Sequence, residues 1–235
     1  MRLYVESEGA AVELDEEGLR TLCPVRFEED DEVLRWVGEE ILGTPNSEIV
    51  TEVGFLRAET GRTDIGRIDM VLVNDGPGSS LAWCALEMQA VYFSGAAMGR
   101  EYAALAKHRD RLPPFPVGKR RPDYRSSGPK RLMPQLQIKV PTLRRWGKKM
   151  AVVVDRDFYD AMGTMETVPD LSNGDIGWFT VRYEQTDDGK RFRLVRDRLY
   201  VTTLERATEG LTGGTPVTLR GFEANIKAKL GHLRR

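Results

Sequence analysis

Three residues stand where their types and spacing could do chemistry: Asp69, Glu87 and Gln89. Asp69 interrupts an apolar, β-branched run, Ile68-Asp69-Met70-Val71-Leu72-Val73, that reads as a strand. Seven turn formers follow, Asn74-Asp75-Gly76-Pro77-Gly78-Ser79-Ser80. Residues 81–90 then climb back as a second strand with Glu87-Met88-Gln89 near its end, so the whole reads as a β-hairpin. A strand sends alternate side chains to opposite faces. Cys84, Leu86, Met88 and Ala90 therefore share an apolar face, and Ala85, Glu87 and Gln89 share the other. Folding the hairpin brings Asp69 within a residue or two of the position opposite Glu87. Two carboxylates and an amide oxygen gathered on one spot are the donors that bind a hard divalent cation, with the Met88 carbonyl a natural extra ligand. A hairpin with two solvated carboxylates would show the same spacing. Here both interrupt apolar strands, and a half-buried carboxylate needs a partner such as a metal or a base.

These residues need a frame, and the rest of the chain supplies one. Residues 29–42 carry Val33, Trp36, Val37, Ile41 and Leu42 at close to helical spacing, with Asp30 and Asp31 as start signals. Residues 49–56 predict a first central strand, and 58–66 a polar turn into the hairpin. A helix is predicted from about 95 to 108, then a long loop over 112–129 rich in Pro, Gly, Arg and Ser. Residues 130–146 predict a helix bent or broken at Pro134 and Pro141. A strand over 149–155, a short helix over 157–162, strands over 177–184 and 191–195, and helices over 202–209 and 219–230 complete the chain. At 235 residues this is one domain with a sizeable core. Its body is expected at about 22–160, with the elements of 176–235 packed on it.

Composition excludes several classes. No apolar run approaches the ~20 residues that span a bilayer, and the acidic N-terminus does not read as a signal peptide. Two cysteines far apart argue against a disulfide framework or a zinc finger, and two histidines against histidine-cluster chemistry. A soluble, cytoplasmic protein is expected. The formal net charge of −1 hides an asymmetry. Residues 1–59 hold 16 acidic and 5 basic residues, whereas 107–149 hold 14 Lys or Arg against Asp110 and Asp123. Such a basic segment, interleaved with Tyr124 and Trp146, is the footprint of a phosphate track.

An Asp on one strand and Glu-x-Gln on the next is a variant of a nuclease pattern that usually ends in Lys. Longer blocks are more specific. Leu22-Cys23-Pro24-Val25-Arg26-Phe27, Gly66-Arg67-Ile68-Asp69-Met70-Val71 and Ala85-Leu86-Glu87-Met88-Gln89-Ala90-Val91-Tyr92-Phe93-Ser94-Gly95 come first. Arg121-Pro122-Asp123-Tyr124-Arg125-Ser126-Ser127, Lys130-Arg131-Leu132-Met133-Pro134-Gln135-Leu136 and Trp146-Gly147-Lys148-Lys149-Met150-Ala151-Val152-Val153-Val154-Asp155-Arg156 follow. In content and order they resemble the NotI family of type II restriction endonucleases. The resemblance implies an α/β (α+β) fold with a PD-(D/E)xK core, a mixed central sheet flanked by helices, that cuts double-stranded DNA with magnesium. It implies Asp69 and Glu87 as metal-binding carboxylates, Gln89 at the usual lysine position and Glu52 as an additional acidic residue. Well-known members carry a four-cysteine iron site; with only Cys23 and Cys84, no iron or zinc site is expected here.

One or two Mg²⁺ ions would lower the pKa of an attacking water and clamp the phosphate oxygens. Arginines commonly read guanine edges bidentately, which selects Arg121, Arg125 and Arg131. Ser126, Ser127, Lys130, Lys139, Lys148 and Lys149 suit phosphate contacts that position without reading sequence. Cutting both strands of a palindrome implies a homodimer. Two alternatives stay open: a nuclease module of a phage-defence complex, with relaxed specificity and other defence proteins as partners, and a non-catalytic DNA-binding subunit.

Overall fold

Six apolar strand segments fold into one mixed sheet in the order β1-β2-β3-β4-β5-β6, flanked by helices. The computed structural model describes residues 20–59, 61, 64–76, 81–93, 99, 123–187, 192–213 and 217–233. The strands are β1 Glu48–Arg57, β2 Asp64–Asn74, β3 Ala82–Met88, β4 Met150–Asp155, β5 Ile176–Gln185 and β6 Phe192–Thr202. Strands β1, β2 and β3 form an antiparallel meander, β3, β4 and β5 run parallel, and β6 returns antiparallel to β5.

Each face of the sheet has its own cover. On one, Phe27 and the helix α1, Glu32–Val37, pack Val33, Leu34, Trp36 and Val37 onto Leu72, Cys84, Leu86, Ala151, Val153 and Phe179. On the other lie α2, Tyr124–Ser127, a wide helical turn Gly128–Leu132, and α3, Met133–Arg145. Helix α4, Arg156–Ala161, and α5, Leu204–Thr212, complete that layer. Leu132, Leu136, Val140 and Leu143 form its main stripe and meet Val71, Ala85, Val152 and Trp178. Residue spacing explains the stripe, since positions three and four apart share one side of a helix. The β3 faces are as the sequence implies: Cys84 and Leu86 point to one layer and Ala85 to the other.

Several expectations need correction. The first strand, β1, is an edge strand and not a central one, and residues 48–54 are exposed. Residues 124–129 are helical where a loop is expected, because the Asp123 carboxylate caps α2 by accepting the Ser126 N–H at 2.9 Å. Helix α3 runs unbroken. Pro134 falls in its first turn, where no N–H is needed. Pro141 is exposed, and so is Gln137, whose carbonyl it leaves without a helical donor, so water can satisfy that group. Strand β6 is longer than expected, and the last helix, α6 (Leu219–Leu233), lies exposed over 219–230 except at Gly221. The helix expected at 95–108 lies outside the described residues but for 99, as does Arg121.

Gly147 ends α3 in the left-handed region at φ 66°, which turns the chain directly into β4. Strand β4 is buried throughout and pairs with β3 from Ala85↔Met150 to Met88↔Val153. Helix α3 is thereby clamped over the centre of the sheet. Leu143→Ala, which opens a cavity at a side chain 1 % exposed, is expected to cost about 2–5 kcal/mol. Denaturant or thermal unfolding of the variant measures it.

Candidate active site

Strands β2 and β3 pair with Met70 opposite Leu86, which sets Asp69 opposite Glu87 one residue beyond. Both side chains lie on the sheet face covered by α3. From that helix Lys139 reaches down between them: its Nζ donates to Glu87 Oε2 at 2.8 Å and to Asp69 Oδ2 at 3.2 Å. The third ammonium proton goes to Gln135 Oε1, one helical turn back, at 2.6 Å. The side chains of Glu87 and Lys139 are 6 % and 5 % exposed, while that of Asp69 is 54 % exposed. The cluster is thus deep at Glu87 and open to solvent at Asp69.

Burial pushes the Glu87 carboxyl up to about 7; the Lys139 ammonium pulls it down, and the Asp69 carboxylate pushes it up again. Two carboxylates that share one ammonium nitrogen are within reach of a single cation, so the ammonium stands where such a cation would sit. The donor set fits magnesium, which takes one or two carboxylates and keeps several waters. Among the described residues no group of three or more His, Cys, Asp or Glu gathers as a metal cage.

The other expected site residues divide. Gln89 lies just past β3 and is buried, but its amide donates to the Ala90 carbonyl at 2.7 Å, and its N–H to Val153 O at 2.9 Å. Its side chain has no hydrogen bond to either carboxylate among these contacts. Glu52 falls opposite Asp69 on the edge strand, between the pairs Thr51↔Met70 and Val53↔Ile68. Its backbone is left-handed, at φ 56°, a strained conformation for a non-glycine residue. The carboxylate is exposed and lies 3.5 Å from an Arg67 guanidinium nitrogen.

Of the basic and hydroxyl residues, Arg125, Lys130 and Arg131 are exposed near the start of α3, with the Arg131 guanidinium stacked 3.7 Å above the Tyr92 ring. Lys148 lies beyond the far end of the helix, beside the Trp83 ring. The phosphate contacts expected of three residues are corrected. Ser127 is buried, donating to Asp123 O and accepting from the Tyr92 N–H. The Lys149 ammonium is tied to Gly174 O at 2.6 Å. Lys139 is inside the carboxylate cluster and not on a surface track. Ser126 donates its hydroxyl to Asp123 Oδ2 at 2.7 Å and is half-buried.

A family model described as Restriction endonuclease NotI matches residues 1–194. The chain belongs to the NotI restriction endonuclease family. Among curated proteins none matches it. NotI-family membership makes the protein a DNA endonuclease at the general level, and its mixed sheet with flanking helices is consistent with a restriction-endonuclease-like core. The matched segment contains all of β1 to β5, α3 and the Asp69–Glu87–Lys139 cluster. No helix of the described residues is long and apolar enough to cross a membrane.

A raised Glu87 value fixes the sign of a pH effect. Below about 7 a proton holds the carboxylate that a cation would need; above it the carboxylate is free. Apparent affinity for Mn²⁺, read by calorimetry without DNA, is expected to fall about tenfold from pH 8 to pH 6. Glu87→Gln is expected to bind weakly with no such slope.

Proposed function

We propose that this protein is a magnesium-dependent, sequence-specific type II restriction endonuclease that cleaves double-stranded, GC-rich DNA through a PD-(D/E)xK site. The observation that supports this reading most is the convergence of Asp69 and Glu87, from neighbouring strands, on one cationic atom in a cluster open to solvent at Asp69. When bound there, one or two Mg²⁺ ions would polarise the scissile phosphate and lower the pKa of an attacking water. Asp69 and Glu87 would hold the cation, with the Met88 carbonyl as a further oxygen donor. Hydrolysis forms a bond from water oxygen to phosphorus and breaks the bond to the 3′ oxygen, which takes up a proton from solvent, while the attacking water gives one up. Glu52, exposed opposite Asp69, accepts that proton through water. Gln89 orders the end of β3 beside Glu87 and can orient the water, but it carries no charge.

Recognition is assigned to the ends of α3. Thirteen helical residues span about 20 Å, so Arg125, Lys130 and Arg131 on one side and Lys148 on the other flank the carboxylates along the helix. Exposed arginines near its start suit guanine edges, and the lysines suit phosphates. Arg121, Ser126, Ser127 and Lys149 are not needed for this reading. A homodimer supplies the second active site for the second strand of a palindrome, and the setting is a cytoplasmic restriction–modification system directed against phage DNA.

The test is incubation of the purified protein with unmethylated GC-rich plasmid, with Mg²⁺ or with EDTA. Discrete fragments that vanish with EDTA, and fall by at least a hundredfold for Asp69→Asn and Glu87→Gln, are expected. A metal-dependent smear would overturn sequence specificity. Cutting indifferent to both variants would overturn the site.

A further inference from the structure

The proposed site has an electrostatic gap. Strand β3 places an uncharged amide, Gln89, two residues after Glu87, and the one basic residue of β2 and β3, Arg67, lies 3.5 Å from the exposed Glu52 carboxylate on the edge strand. A phosphodiester gains negative charge on its oxygens during attack, and a positioned cation is the group that offsets it. The protein does hold such a charge at this spot, and it comes from another element. Lys139 leaves α3 in the apolar stripe of Leu132, Leu136, Val140 and Leu143, where its stem is buried. All three of its ammonium protons are directed, to Glu87, Asp69 and Gln135.

We propose that Lys139 is the built-in cation of this active site: it occupies the place between Asp69 and Glu87 in the metal-free protein, competes there with the divalent cation, and carries the positive charge against the scissile phosphate that Gln89 cannot supply. The inference rests on the nuclease reading above. Two of the three partners of the ammonium are the carboxylates that a divalent cation would claim, and the third, Gln135, belongs to the same helix. Loss of the carboxylate contacts therefore leaves the ammonium anchored at Gln135 Oε1, at the edge of the cluster. Asp69, half-exposed, marks the side from which a phosphate enters. A lysine kept only for stability is a weak explanation, because replacing a buried ion pair by apolar side chains is often neutral or stabilising.

The competition and the catalytic role have opposite signs, which makes the test sharp. Lys139→Gln is expected to bind Mn²⁺ at least threefold more tightly than the wild type, by calorimetry at pH 8.5 without DNA. It is also expected to cleave DNA at least a hundredfold more slowly at saturating Mg²⁺. Lys139→Arg, which keeps the charge, is expected to bind Mn²⁺ within about twofold of the wild type. Unchanged Mn²⁺ affinity in Lys139→Gln would overturn the competition, and unchanged cleavage would overturn the catalytic role. Should the variant not fold, reductive methylation of the wild-type protein, followed at Lys139 by mass spectrometry, replaces it. Reaction is expected to be slow without metal and several-fold faster with Mg²⁺, and an equal rate would overturn the displacement. Failure of the wild type to bind Mn²⁺ through Asp69 and Glu87 would instead overturn the nuclease reading itself, and the inference with it.

Discussion

The arrangement of this protein depends on one buried carboxylate. Glu87 stands in the middle strands of a sheet, between β2 and β4 and beneath α3, with almost none of its side chain exposed. An ionised group in such a place demands a partner, because the cost of leaving water is several kcal/mol per ion. Lys139 is that partner, and it meets the demand only because α3 is held at a fixed height over the sheet. The helix stripe, the Gly147 turn and the buried strand β4 all serve that placement. Removing either charge leaves the other desolvated, so the pair constrains the core around it more than it stabilises it.

Sheet topology decides why the carboxylates gather where they do. Strand β3 is the place where the sheet changes from antiparallel to parallel pairing. Its parallel neighbour β4 can be reached only by a crossover, and α3 is the last part of that crossover. Glu87 lies near the carboxyl end of β3, the end at which parallel strands leave room for chemistry. Strand β2 runs the other way, so Asp69, early in the described apolar run, comes to the same end. Hairpin and crossover thus bring an acid from each strand and a base from the helix to one point.

Much of this was legible in the residues. The alternation in 81–90 separates the two faces of β3 correctly, and the apolar runs give the hairpin register to within a residue or two. What the sequence concealed was the place of Lys139 between the two carboxylates. Lys139 sits in a segment crowded with arginines and lysines, and charge density there reads as a surface track. The contrary signal is periodicity: 139 lies three residues after Leu136 and four before Leu143, on the buried side of the helix. A lysine on an apolar stripe is a buried charge in need of an acid. Ser127 and Lys149 were misplaced for a related reason, because side-chain type cannot show that a hydroxyl or an ammonium is already consumed by backbone groups. The edge position of β1 was equally hidden, since Ile49, Val50 and Val53 are apolar yet exposed.

Charge arithmetic at the cluster gives the arrangement its functional logic. Two ionised carboxylates beside one ammonium leave a net charge of about −1, which would repel a phosphate from the cluster. A divalent cation bound there would reverse the sign to about +1. On the proposed reading the basic groups near both ends of α3, with Arg125, Lys130 and Arg131 exposed and Lys148 half-buried, would attract DNA whatever the state of the cluster, since they lie outside it. Attraction of the duplex and admission of its phosphate would then be separate events, the first set by the ends of one helix and the second by a cation held at its middle. With Gln89 in place of a strand lysine, the proposed burden of that second event would fall on Lys139, and so on the packing that holds α3 to the sheet.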